Sequence, residues 1–142
     1  MLIATDIGNS SITIGYFVDT GLVVQRIPTH PLQKADEYRQ LLLAFTAEKN
    51  IAKSACTGII SSVVPGHTEI FRAVLAGLSE EGTADILVVN SMISGMGFRI
   101  PAPEELGTDR IANAVVAFSL FKRPVAVIDF GSATTITAVD RQ

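Results

Sequence analysis

The sequence predicts an α/β fold in which a mixed sheet carries helices on its faces. Two observations lead there. Three β-rich segments come first, and beyond them helix-period and strand-period segments alternate. In addition, the opening phrase "IATDIGNSSITIG" returns in related form as "VIDFGSATTITAV", from Val127 to Val139. Each copy is a short apolar run ending in Asp, then one apolar residue, a Gly, small polar residues and an Ile/Thr stretch.

Leu2 to Thr5 and Ser11 to Phe17 are apolar or alternating and rich in β-branched residues, so they read as a hairpin around "DIGN". Gly21 opens a third strand, Leu22 to Ile27, closed by Pro28 and Pro31. Ala35 to Lys49 is an amphipathic helix, with Tyr38, Leu41, Leu42 and Phe45 at helical spacing. "CTGIISSVVP" is a buried strand stopped by Pro65, and Thr68 to Leu78 returns to helix. Ile86 to Val89 is a short strand. Ser91 to Pro103, with Gly95, Gly97, Pro101 and Pro103, is irregular. Leu106 to Phe121 is helical, and Pro124 to Asp129 is a strand feeding the second phrase. The order is β-β-β-α-β-α-β-α-β-β. The chain ends one hairpin into what reads as a second copy, so the expected division is residues 1–122 and 123–142, the latter a truncated repeat.

Composition narrows the function. At 142 residues the chain has the size of one domain, with 48% hydrophobic and 18% charged residues. It lacks the run of about 18 apolar residues that a membrane span needs, and its start does not resemble a signal peptide. The formal net charge of -3 and the absence of a Lys/Arg cluster argue against nucleic acid as a ligand. Cys56, the single cysteine, stands among apolar neighbours and is expected to be a buried, reduced thiol in a cytoplasmic protein.

Asp-x-Gly at the end of a buried strand has a physical use. The carboxylate stands at a sheet edge, where it can hold a cation beside phosphates. The Gly lets backbone N–H groups approach an anion with no Cβ in the way. Asn9, Ser10 and Ser11, or Ser132, Thr134 and Thr135, add short donors. Either turn alone would pass as an ordinary hairpin. Two in the same context favour a phosphate clamp, and phosphoryl transfer needs such positioning and charge neutralisation. Neither copy is a Walker loop or a dinucleotide fingerprint. A third cluster, "PAPEELGTDRIANAVVAF", starts a helix with Gly107, Thr108, Asp109 and Arg110. Thr108 or Asp109 would serve as a cap and Arg110 as a solvated charge. Alternatively, Asp109 accepts a proton from a substrate hydroxyl, Arg110 grips a polar or anionic group, and Asn113 orients the pair.

"DIGNSSITIG", "IISSVVP", "ELGTDRIANAVVA" and "VIDFGSATTITAVD" together resemble the signatures of type III pantothenate kinases, in that family's order and over essentially the whole chain. The resemblance departs at Ile100, where many relatives have Tyr, and at "PAP", which replaces Asp-Asn-Pro. It implies a ribonuclease H-like/actin-like ATPase domain of the ASKHA superfamily and ATP-dependent phosphorylation of pantothenate, the first step to coenzyme A. It further implies Asp109 as general base and Gly107, Thr108, Asp109 and Arg110 as the pantothenate site. Asp6, Ile7, Gly8, Asn9, Ser10, Ser11, Ile12, Thr13 and Ser132 would bind ATP, Asp6 with Mg²⁺, and Asp129 would hold K⁺ or NH₄⁺. The family forms homodimers and continues through a second domain, so this chain is expected to hold half-sites with little activity alone. The accessory-factor label also attached to the family suggests a regulatory, non-catalytic protein as the alternative. Another acid or sugar kinase of the superfamily is a third.

Overall fold

Strands β1 (Leu2–Ile7), β2 (Ser11–Val18) and β3 (Gly21–Pro28) form an antiparallel meander in the computed structural model, which describes residues 1–51, 57–78, 84–131 and 133–140. Helix α1 (Ala35–Glu48), strand β4 (Thr57–Ser62), helix α2 (Pro65–Ala76) and strand β5 (Asp85–Val88) follow. β4 pairs parallel with β1, and β5 parallel with β4, so the sheet runs β3-β2-β1-β4-β5. The mixed sheet is the one expected. Contacts divide the chain into two compact units, Met1–Val88 and Val89–Gln142. Cys56, expected as a buried thiol, lies outside the described residues.

The first unit is organised by side-chain alternation. Ile3, Ile7, Ile12, Ile14, Tyr16 and Ile60 point to one face of the sheet and are fully buried. Tyr38 and Leu42 of α1 and Phe71, Val74 and Leu75 of α2 meet them there. Gly58 leaves room for this packing, since a Cβ on it would stand 3.0 Å from Leu75 and 3.3 Å from Ile86. Both helices of this unit therefore lie on one face. The opposite face presents Phe17, Leu22, Val24 and Leu87, all exposed.

Local chemistry explains the helix starts. The Glu37 carboxylate accepts the Lys34 N–H at 2.7 Å, closing the first turn of α1. α2 begins at Pro65, three residues earlier than expected. A proline after a strand reads as its end, but at the first helical position its missing N–H costs nothing and its φ is already helical.

In the second unit an irregular segment leads through a 3₁₀ turn (Pro103–Glu105) to α3 (Thr108–Phe121) and an antiparallel hairpin, β6 (Val125–Phe130) with β7 (Thr134–Val139). α3 starts at Thr108 rather than Leu106, because the 3₁₀ turn occupies the residues before it. The hairpin expected from the second phrase is present. Ile111 and Ala114 of α3 and Val139 of β7 are buried, while Ile128, Phe130 and Ile136 are exposed on the outer face.

Tyr16 reports on the core of the first unit. Its hydroxyl donates to Gln25 Oε1 at 2.7 Å, and its ring stacks on Phe45 at 5.6 Å. Burial pushes the Tyr16 hydroxyl well above its ordinary 10.0. Above pH 10.0 the unfolded chain loses this proton while the folded chain keeps it. The stability it contributes is thus complete below that pH and falls as pH rises beyond it. Tyr16→Phe should cost about 1 kcal/mol at neutral pH by leaving Gln25 without its donor. It should also flatten the decline in stability under alkaline conditions, as denaturant unfolding across that range would measure.

Candidate functional site

The first Asp-x-Gly turn is placed by the core. Ile3, Thr5 and Ile7 occupy the inward positions of β1, so Asp6 must point to the other face. Pairing sets Asp6 beside Thr13 of β2 and Ser61 of β4, with Arg26 of β3 opposite Thr13. One carboxylate thus stands in a polar row between two hydroxyl residues, with a guanidinium one strand further. Ile7 pairs with Ile12 across the four residues Gly8 to Ser11, the last of which opens β2, and the Gly8 N–H donates to Ser11 O at 3.0 Å. Asn9 and Ser10 are exposed. The side chains of Ile7 and Ile12 are fully buried, so these two residues offer an anion only backbone groups.

The second turn is related but shorter. Phe130 pairs with Thr134 across three intervening residues, and the Gly131 N–H donates to Ala133 O at 3.2 Å. Asp129 pairs with Thr135 much as Asp6 pairs with Thr13. Ser132 lies outside the described residues.

The G-T-D-R cluster opens α3. Gly107 is the N-cap residue, with Thr108, Asp109 and Arg110 in the first turn. Asp109 Oδ1 accepts the Arg110 N–H at 2.7 Å, which places a carboxylate on a helix N-terminal amide, where the dipole favours it. Arg110 is anchored rather than solvated: Nε donates to Thr137 Oγ1 at 3.0 Å and Nη2 to Ile136 O at 3.1 Å. Asn113, expected to orient Asp109 and Arg110, instead donates to Asp129 Oδ2 at 3.2 Å. One turn of α3 separates these groups, so Arg110 grips β7 while Asn113 reaches the Asp of β6.

Among the described residues, no three His, Cys, Asp or Glu side chains gather to hold a metal ion. A single carboxylate, that of Asp6, beside hydroxyls suits Mg²⁺, which commonly takes one or two carboxylates and completes its shell with phosphate oxygens and water. Sequence reasoning missed Ser61 and Arg26. Both stand in the Asp6 row only through strand register, which no local pattern reveals. Arg110→Lys should lose the two-point anchor on β7 and cost about 1 kcal/mol. The expected readout is roughly five-fold faster amide exchange in β7, with exchange in the five-stranded sheet unchanged.

The family model for type III pantothenate kinase matches residues 2–142. A type III pantothenate kinase of Shouchella clausii is 38% identical over 149 residues, covering 99% of this chain and 55% of the relative. Another, from Moorella thermoacetica, is 31% identical over 144 residues, covering 100% and 56%. The chain therefore spans about half the length of these relatives. Among solved structures, the PPX-GPPA enzyme of Aquifex aeolicus is similar over 98% of this chain and 48% of its own, at 16% identity and a TM-score of 0.42. With the Asp-x-Gly turns and the G-T-D-R helix start all inside the matched residues, the chain belongs to the type III pantothenate kinase family.

Proposed function

We propose that this chain carries the phosphate turn and the acceptor-activating helix of an enzyme that phosphorylates pantothenate with ATP, the first step toward coenzyme A. The observation that carries the reading is the family match across residues 2–142, which includes both turns and Asp109. The fold it implies is the actin-like ATPase plan of the ASKHA superfamily, with residues 123–142 as the opening hairpin of a second copy.

Each group then has a role its chemistry suits. Backbone N–H groups of residues 9–11 meet phosphate oxygens beside Gly8, helped by Asn9, Ser10, Ser11 and Thr13. Ser132 is a further ATP contact. Asp109 accepts the proton of the pantothenate primary hydroxyl as its oxygen attacks the γ-phosphorus, and the bond to the β–γ bridging oxygen breaks to release ADP. Gly107, Thr108 and Arg110 line the pantothenate site. The anchoring of Arg110 on β7 supports this by fixing the helix start that carries Asp109. Mg²⁺ held at Asp6 and K⁺ or NH₄⁺ at Asp129 would supply positive charge against the phosphates. Asn113 supports the latter role, because its bond to Asp129 Oδ2 orients that carboxylate. By the family resemblance, the proposed enzyme works in the cytoplasm as a homodimer. Among the described residues no helix is long and apolar enough to cross a membrane.

Asp109→Asn, introduced into a chain of the relatives' full length, should lower pantothenate phosphorylation by about 100-fold or more. Mg·ATP affinity should stay within about two-fold, since a base that meets only the acceptor contributes little to nucleotide binding. Coupled ADP release and calorimetric titration measure the two quantities. Undiminished turnover would remove Asp109 from the role of base.

A further inference from the structure

The first Asp-x-Gly turn is held from beneath by Thr29, the residue that follows β3. Its Oγ1 donates to Gly8 O at 2.7 Å and its N–H donates to Ser10 O at 3.3 Å. Thr29 is fully buried, which shields its own side of these bonds from water. The peptides of the turn are trans and planar, so each C=O points opposite to the next N–H. Holding Gly8 O and Ser10 O toward Thr29 therefore turns the N–H groups of Asn9 and Ser11 away from it. Asn9 and Ser10 themselves are exposed.

Thr29 is itself held. Its carbonyl lies 2.9 Å from Nε2 of His67, and because a carbonyl can only accept, Nε2 is the donor. His67 is 2% exposed in the first turn of α2, with the Tyr38 ring centroid 6.2 Å and the His30 ring 6.1 Å away. Its Nδ1 is buried without a partner among the described residues, an unfavourable state for a polar atom. An apolar ring of similar shape would fill the space without that penalty. What the imidazole adds is the single bond to Thr29.

We propose that Thr29 is a positioning residue for phosphate binding and that His67 locks it in place. The chain of contacts runs from α2 through His67 and Thr29 to the carbonyls of Gly8 and Ser10. Its effect is to present the Asn9 and Ser11 amides to an anion before one arrives, which spares the ordering cost on binding. This rests on the assignment of residues 8–11 to ATP phosphates.

The test uses a chain of the relatives' full length, ¹⁵N-labelled, with Mg·ATP as the probe. Thr29→Val keeps the shape and loses the hydroxyl, whereas Thr29→Ser keeps the hydroxyl. Thr29→Val should move the Asn9 and Ser11 amide resonances and weaken Mg·ATP binding by about ten-fold. Thr29→Ser should return both close to wild type. His67→Phe should move the same resonances, and His67→Gln, which can still donate, should largely restore them. Amides of Leu42 and Val74 in the core should not respond. If Thr29→Val folds and leaves the turn amides in place, or if Thr29→Ser is as impaired as Thr29→Val, the lock is refuted. Should Thr29→Val fail to fold, the His67 pair decides: turn amides that stay in place in His67→Phe refute the lock, and amides that move there and return in His67→Gln support it. If the wild-type chain does not bind Mg·ATP, the phosphate assignment falls, while the amide resonances still decide whether Thr29 positions the turn.

Discussion

Strand β1 has neighbours on both sides, β2 antiparallel and β4 parallel, and its two-residue period ties the core to the site. Ile3 and Ile7 face α1 and α2; Asp6, between Thr5 and Ile7, faces away. A slip of one residue would bring Asp6 into the core and expose both isoleucines. Each buried isoleucine is worth about 1.5–3 kcal/mol, and an unpaired buried carboxylate costs several more, so the register has no near competitor. The same packing that stabilises the first unit thus holds the carboxylate at the sheet surface.

The two turns solve related problems with different supports. At the first, the hairpin is braced by Thr29 and, through it, by a helix packed on the core. At the second, the support comes from α3, where Asn113 reaches Asp129 and Arg110 reaches β7. In both units a helix first turn lies within hydrogen-bond reach of the strand–turn–strand element or of the residue that braces it. The arrangement suits a site whose work is to position charges, because a carboxylate or amide held by a packed helix needs little reorganisation when its ligand arrives.

Much of the architecture was legible because it follows local periods. The alternation of Ile12, Ile14 and Tyr16 marks β2, and the spacing of Tyr38, Leu42 and Phe45 marks α1. Boundaries were less legible where one residue serves two purposes. Pro65 reads equally as a strand stop and a helix start, and β1 runs on through Asp6 and Ile7, which the turn-like "DIGN" concealed. Of the site, the two Asp-x-Gly turns and the helix start at Asp109 were visible as motifs. The company they keep was not: Ser61, Arg26, Thr29 and His67 carry no signal in their own neighbourhoods.

By itself, then, the sequence determined the succession of elements, the repeated turn and the family to which the chain belongs, since each is written in spacing along the chain. Only the tertiary structure decided which hydroxyls flank Asp6, that Arg110 anchors on β7, that Asn113 serves Asp129, and that Thr29 and His67 stand behind the first turn. Those choices depend on strand register and on side chains meeting across 27, 16 or 38 residues of separation. Such meetings exist only once burial of the core has set each strand and helix against its neighbours.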